Sequence, residues 1–164
     1  MAIKFRNYDL ILRDYKSFHS NGVNRIIHYI ATPLVFICIF GLLAAIPTPS
    51  WLVSIPYFNF AILVAVISLF YFSFYGIKAV LIMMFAFLLI ALSILFVNSI
   101  FPNYSIIGFI LVGVLSFSTQ LLGHIFEGRR PAFTKDISMI PLSLILIFFP
   151  AFLLAKSAQN TDLN

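Results

Sequence analysis

Long apolar blocks separated by short polar breaks dominate this chain, and they predict its architecture. The blocks lie at about 24–46, 58–75, 78–101, 104–126 and 137–155. Each comes near or exceeds the roughly 20 apolar residues that carry a helix across a hydrocarbon core of about 30 Å. A helix also satisfies its own backbone where no water is available, and the two-residue alternation of a membrane β-barrel strand is missing from these blocks. The breaks have turn chemistry. Pro47, Thr48 and Pro49 end the first block, Gly76 and Lys78 interrupt the middle of the chain, Pro102 and Asn103 divide the third block from the fourth, and GRRPAFTKD leads into the fifth. Trp51 and Tyr57 suit an aromatic belt at the headgroups. Pro33 predicts a kink in the first block, and Pro141 and Pro150 predict a kinked or re-entrant course for the fifth.

Residues 1–22 follow another rhythm. Tyr8, Ile11, Leu12, Tyr15, Phe18 and His19 recur at spacings of three and four, with Arg6, Asp9, Arg13, Lys16 and Ser20 on the opposite side. This is the pattern of an amphipathic helix lying in the membrane interface, positive face toward the headgroups. The charged region is too long, and the apolar block behind it too extended, for a cleaved signal peptide. The expected fold is all-α, a polytopic membrane helix bundle of about five transmembrane helices preceded by an interfacial helix, with residues 1–164 forming a single integral membrane domain.

Composition supports the membrane assignment. With 62% hydrophobic and 9% charged residues and a mean hydropathy of +1.09, the chain holds more apolar surface than one soluble core of this size can hide. The net charge of +5 raises the question of a nucleic-acid partner, but the positions of the charges give a different answer. If the chain starts in the cytoplasm, Lys4, Arg6, Arg13, Lys16, Arg25, Lys78, Arg129, Arg130 and Lys135 all lie inside, and only Lys156 lies outside. That is the positive-inside bias of a membrane protein, so no nucleic acid is needed to explain it. A bacterial inner membrane is the expected location, or the endoplasmic reticulum in a eukaryote. The single cysteine, Cys38, excludes a disulfide framework and a thiolate metal site.

This topology brings the chain's three histidines to one depth. His19 precedes the first span, His28 lies one turn into it, and His124 sits at the inner end of the fourth. At about 100° per residue, a continuous helix would point His19 and His28 in opposite directions. Ser20, Asn21 and Gly22 supply the required break, with Gly22 suited to a left-handed helix end. Asn24 then caps the first span or lies one turn below His28. In the fourth span Gln120, His124 and Glu127 share a face. An amide thus precedes a histidine by four residues twice, at Asn24 and at Gln120, where it can hold the imidazole nitrogen that a metal leaves free. Glu127 can ligate, orient an imidazole, act in proton transfer, or pair with Arg129 or Arg130.

Each histidine taken alone reads as a satisfied polar group in a membrane helix. Three at one depth read as metal ligands, because ionisable groups in hydrocarbon are costly and lean functional. Nitrogen ligation with open positions fits zinc, copper, iron or nickel in a catalytic site. Di-iron desaturases and hydroxylases use many more histidines than are present. Arg129 and Arg130 set topology by default, and they can also steer an anionic substrate.

The order His19-x4-Asn24-x3-His28-x4-Pro33, followed by Gln120-x2-Gly123-His124, Glu127 and Arg130-Pro131-Ala132, resembles the membrane family of 2-hydroxy fatty acid dioxygenases known from fungal alpha-oxidation. The resemblance runs from about Tyr15 into the fifth span. It implies Fe(II) held by His19, His28 and His124, with O2 and a 2-hydroxy fatty acid as substrates and a product one carbon shorter. It further implies that the substrate head meets the metal at the cytoplasmic face while its tail lies among helices in the lipid bilayer, with Arg129 or Arg130 steering the carboxylate. One spacing departs from the pattern. Fungal members have three residues between the second-motif histidine and the following glutamate, whereas His124 and Glu127 are separated by two, which rotates the carboxylate by one helical position. Two further readings stand beside this one: a zinc-dependent membrane lipid hydrolase with Glu127 as general base, and a non-enzymatic lipid-binding protein. Oligomeric state leaves no trace in the sequence.

Overall fold

The computed structural model describes residues 19–128 and residue 143. Most of the expected interfacial helix, the fifth span, Arg129 and Arg130 lie outside the described residues. Within them all the regular elements are α-helices, as expected, in the order α1 (Gly22–Ala45), α2 (Phe60–Ser73), α3 (Ile77–Ile100) and α4 (Ser105–Glu127).

Local chemistry sets the ends of these helices. The Asn21 side chain caps α1 by accepting from the backbone of Val23 at 2.8 Å and of Asn24 at 3.4 Å, which satisfies donors that have no intrahelical partner. Two local expectations change here. The cap is Asn21 rather than Asn24, and Gly22 opens α1 instead of closing a preceding helix in the left-handed region. Asn24 therefore lies one turn below His28, the second of the two placements expected for it. α1 continues through Pro33 and ends at Ile46, whose extended backbone is the conformation imposed by a following proline. Asn59 caps α2 through a bond from the Ile62 amide at 2.9 Å. Gly76, at φ 99°, makes the turn into α3, and Gly128, at φ 68°, closes α4 with its amide bonded to the carbonyls of His124 and Ile125.

Three helices, α1, α3 and α4, are long and apolar enough to cross a membrane. α2 is not. The block expected as a span at 58–75 forms a helix of 14 residues, about 21 Å long at 1.5 Å per residue. Its cap at Asn59 and its turn at Phe74–Gly76 consume both ends of the apolar run. Many large side chains point outward, among them Ile26, Ile30, Leu115 and Ile125, which suits contact with lipid tails.

α1 packs most extensively against α4, and small residues permit the approach. A Cβ added to Gly41 would meet the Phe109 ring at 2.6 Å, one on Gly113 would meet Cys38 Cβ at 3.1 Å, and one on Gly123 would meet Asn24 Oδ1 at 2.6 Å. The contact position rises along α4 as it falls along α1, so the two helices are antiparallel. The start of α1 therefore sits beside the end of α4. A core of Phe36, Phe40, Phe72, Met83 and Ile90 ties α2 and α3 to this pair, with Phe40 and Phe87 ring centroids 5.2 Å apart.

Candidate metal centre

The antiparallel seam brings His28, near the start of α1, to His124, near the end of α4. His19 joins them from the short non-helical segment before Asn21. All three imidazoles are buried, at 6%, 7% and 6% exposure for His19, His28 and His124. Ring centroids are 4.5 Å apart for His19 and His28, 4.9 Å for His28 and His124, and 5.4 Å for His19 and His124. One nitrogen from each ring lies within 4.8 Å of one from each of the others.

The donor set fits a metal ion. Among the described residues, His28 Nε2 and His124 Nδ1 are buried with no hydrogen-bond partner, an arrangement that costs about 1–3 kcal/mol for each polar atom left unsatisfied. A transition metal takes imidazole nitrogens at about 2.0–2.1 Å, so a modest inward rotation of the rings would let all three reach one ion. A histidine cluster that served only packing would turn its nitrogens toward acceptors or donors. Among the described residues the group consists of three converging imidazoles, a nitrogen-rich set that leaves room for further ligands.

Glu127 has a different position from that of a free acid or base. Its Oε1 accepts from the Ser20 backbone amide at 2.9 Å and from the Ser20 hydroxyl. Its Oε2 accepts from the Asn21 amide at 2.9 Å and from Asn24 Nδ2 at 3.1 Å. The Asn21 side chain adds a bond to the Phe126 carbonyl at 3.3 Å. Both carboxylate oxygens are thus engaged in fastening the His19 segment to the end of α4. Of the roles expected for Glu127, this geometry fits that of orienting an imidazole, with the carboxylate holding the segment that carries His19. The two-residue spacing after His124 turns the carboxylate toward Ser20 and Asn21 across the helix end.

The two amides expected behind the histidines reach across the seam. Asn24 binds Glu127, as above. Gln120 Nε2 donates to Thr32 Oγ1 on α1 at 2.9 Å, and Thr32 Oγ1 lies 3.4 Å from His28 Nδ1. Gln120 therefore serves the histidine of the opposite helix through a threonine. Sequence reasoning missed Thr32, Ser20 and Asn21 as parts of the site. Thr32 gave one readable signal, a hydroxyl four residues after His28 on the same helical face. Ser20 and Asn21 gave none beyond turn propensity.

A family model described as 2-hydroxy-palmitic acid dioxygenase Mpo1-like matches residues 5–155. No curated protein and no solved structure matches the chain.

Proposed function

From the premise that the chain belongs to the Mpo1-like family, we propose that it is a membrane-embedded Fe(II)-dependent dioxygenase that shortens 2-hydroxy fatty acids by one carbon. The observation that carries this reading is the set of three buried imidazoles with nitrogens within 4.8 Å of one another, at one end of two helices able to span a membrane. His19, His28 and His124 hold the metal. Fe(II) bound there would activate O2 toward a spin-paired substrate, which itself would supply the net electrons.

The overall chemistry balances without a further reductant. R–CH(OH)–COOH plus O2 gives R–COOH, CO2 and water: the bond between C1 and C2 breaks, and the substrate's two terminal carbons give up the four electrons that O2 accepts. This chain's residues contribute position and exclusion. Glu127 fixes the His19 segment, Thr32 and Gln120 support His28, and the buried helix seam keeps bulk water from the imidazoles. Arg129 and Arg130, next in sequence after the α4 cap, are assigned to the substrate carboxylate. With the basic loops inside, the site faces the cytoplasm of a bacterial inner membrane.

The geometry favours this reading over a zinc lipid hydrolase, because the carboxylate that would serve as general base already accepts four hydrogen bonds. The test is anaerobic purification followed by metal analysis and O2 uptake with 2-hydroxypalmitate. The expected result is about one Fe(II) per chain and stoichiometric formation of the C15 acid. His28→Ala is expected to lose both metal and turnover. Full iron content and activity in that variant would refute the assignment.

A further inference from the structure

Neutral imidazole carries its proton on one nitrogen and a lone pair on the other, and the partner of one nitrogen decides the role of its opposite. At His28 that partner is Thr32. Thr32 is buried, at 3% exposure, in a stretch of helix, Ile30 to Phe36, that is otherwise apolar. A hydroxyl oxygen offers two lone pairs. One is taken by the Gln120 amide at 2.9 Å, and His28 Nδ1 lies 3.4 Å from the same oxygen. The opposite nitrogen of His28, Nε2, is buried with no hydrogen-bond partner among the described residues.

We propose that Gln120 and Thr32 form a relay across the α1–α4 seam that holds His28 with its proton on Nδ1, so that the Nε2 lone pair is kept for the metal. This inference rests on the metal-binding reading of the three histidines. With one lone pair of the threonine oxygen taken by the Gln120 amide, the second is free to accept from Nδ1–H, and it is the burial of Nε2 without a partner among the described residues that selects this tautomer. The other tautomer would seal an Nε2–H away from any acceptor among the described residues. The relay also gives the glutamine four residues before His124 a partner on the opposite helix. The antiparallel register sets Gln120 level with Thr32, and Thr32 is one turn beyond His28 on the same face. Thr32 and Gln120 are positioning residues, since neither touches the metal.

The experiment measures metal affinity rather than turnover. Full-length protein in detergent is titrated anaerobically with Fe(II), and with Co(II) as a coloured substitute, against a competing chelator. Thr32→Val keeps nearly the same shape but removes the oxygen. Its affinity is expected to fall 10- to 100-fold, the range seen when the partner of a ligating histidine is lost. Thr32→Ser restores the hydroxyl and is expected to stay within threefold of wild type, and Gln120→Leu is expected to fall between the two. In zinc-loaded protein labelled with 15N-histidine, His28 is expected to show a protonated Nδ1. Wild-type affinity in Thr32→Val would overturn the relay, as would equal losses in Thr32→Val and Thr32→Ser. Failure of the wild-type protein to bind either ion would instead remove the metal-binding reading on which the relay depends.

Discussion

Replacing Glu127 with alanine removes the acceptor of four hydrogen bonds and tests what holds His19 at the site. Hydrogen bonds to a charged group contribute about 1.5–3 kcal/mol each. The two from exposed Ser20 count for little, because water can replace them. The bonds from the Asn21 amide and from buried Asn24 remain. Allowing for their non-additivity, the substitution should cost docking of the His19 segment about 2–4 kcal/mol. At about 1.4 kcal/mol per factor of ten, the docked population falls roughly 30- to 700-fold relative to the undocked one. Metal affinity should fall with it wherever docking becomes the minor state. Two measurements check this: backbone hydrogen exchange at residues 20 and 21, expected to accelerate, and Fe(II) competition against a chelator, expected to weaken. Glu127→Gln keeps one acceptor oxygen and should fall between wild type and alanine. The reasoning fails if Glu127→Ala keeps wild-type affinity and wild-type exchange protection. Normal metal binding without turnover would instead point to proton transfer by the carboxylate.

Gly123→Ala drives a methyl group against Asn24 Oδ1 at 2.6 Å and Ile27 Cγ2 at 3.3 Å, and overpacking of this kind costs about 1–3 kcal/mol. Thermal unfolding in detergent should show the loss, while Gly108→Ala, with nothing within 4 Å, should unfold at or slightly above the wild-type temperature because alanine favours the helix. Asn21→Ala removes the α1 cap, worth about 1 kcal/mol, together with the bond to the Phe126 carbonyl. It should lower both the unfolding midpoint and metal retention on dialysis, whereas the same change at Asn59, which caps α2 away from the histidines, should affect only the midpoint.

Much of the helical plan was legible, because hydrocarbon enforces length and polarity at once. The third and fourth expected spans match α3 and α4 to within a residue or so at each end, since Gly76, Pro102 and Gly128 are unambiguous stops. The helix in the second block is shorter than its apolar run, because hydropathy reports apolar character and not where a cap forms. Asn59 and the residues around Gly76 cut the helix below spanning length. The meeting of His19, His28 and His124 was readable through loop charge, which sets depth. What the histidines lean on was not readable, since it depends on rotation about the seam. Gln120 faces Thr32, and Glu127 faces Ser20 and Asn21, only because small residues at positions 113 and 123 let α1 and α4 close at one particular register.

His19 and His28 leave the ribosome early, and His124 follows about a hundred residues later. At a synthesis rate of about 5–20 residues per second, the first two imidazoles wait roughly 5–20 s for the third. During that interval the growing chain has only a two-point claim on any passing ion. If the three imidazoles hold a metal as proposed, loading belongs to a stage after the helix that carries His124 has been made, and a chain truncated before Ser105 should not retain the ion.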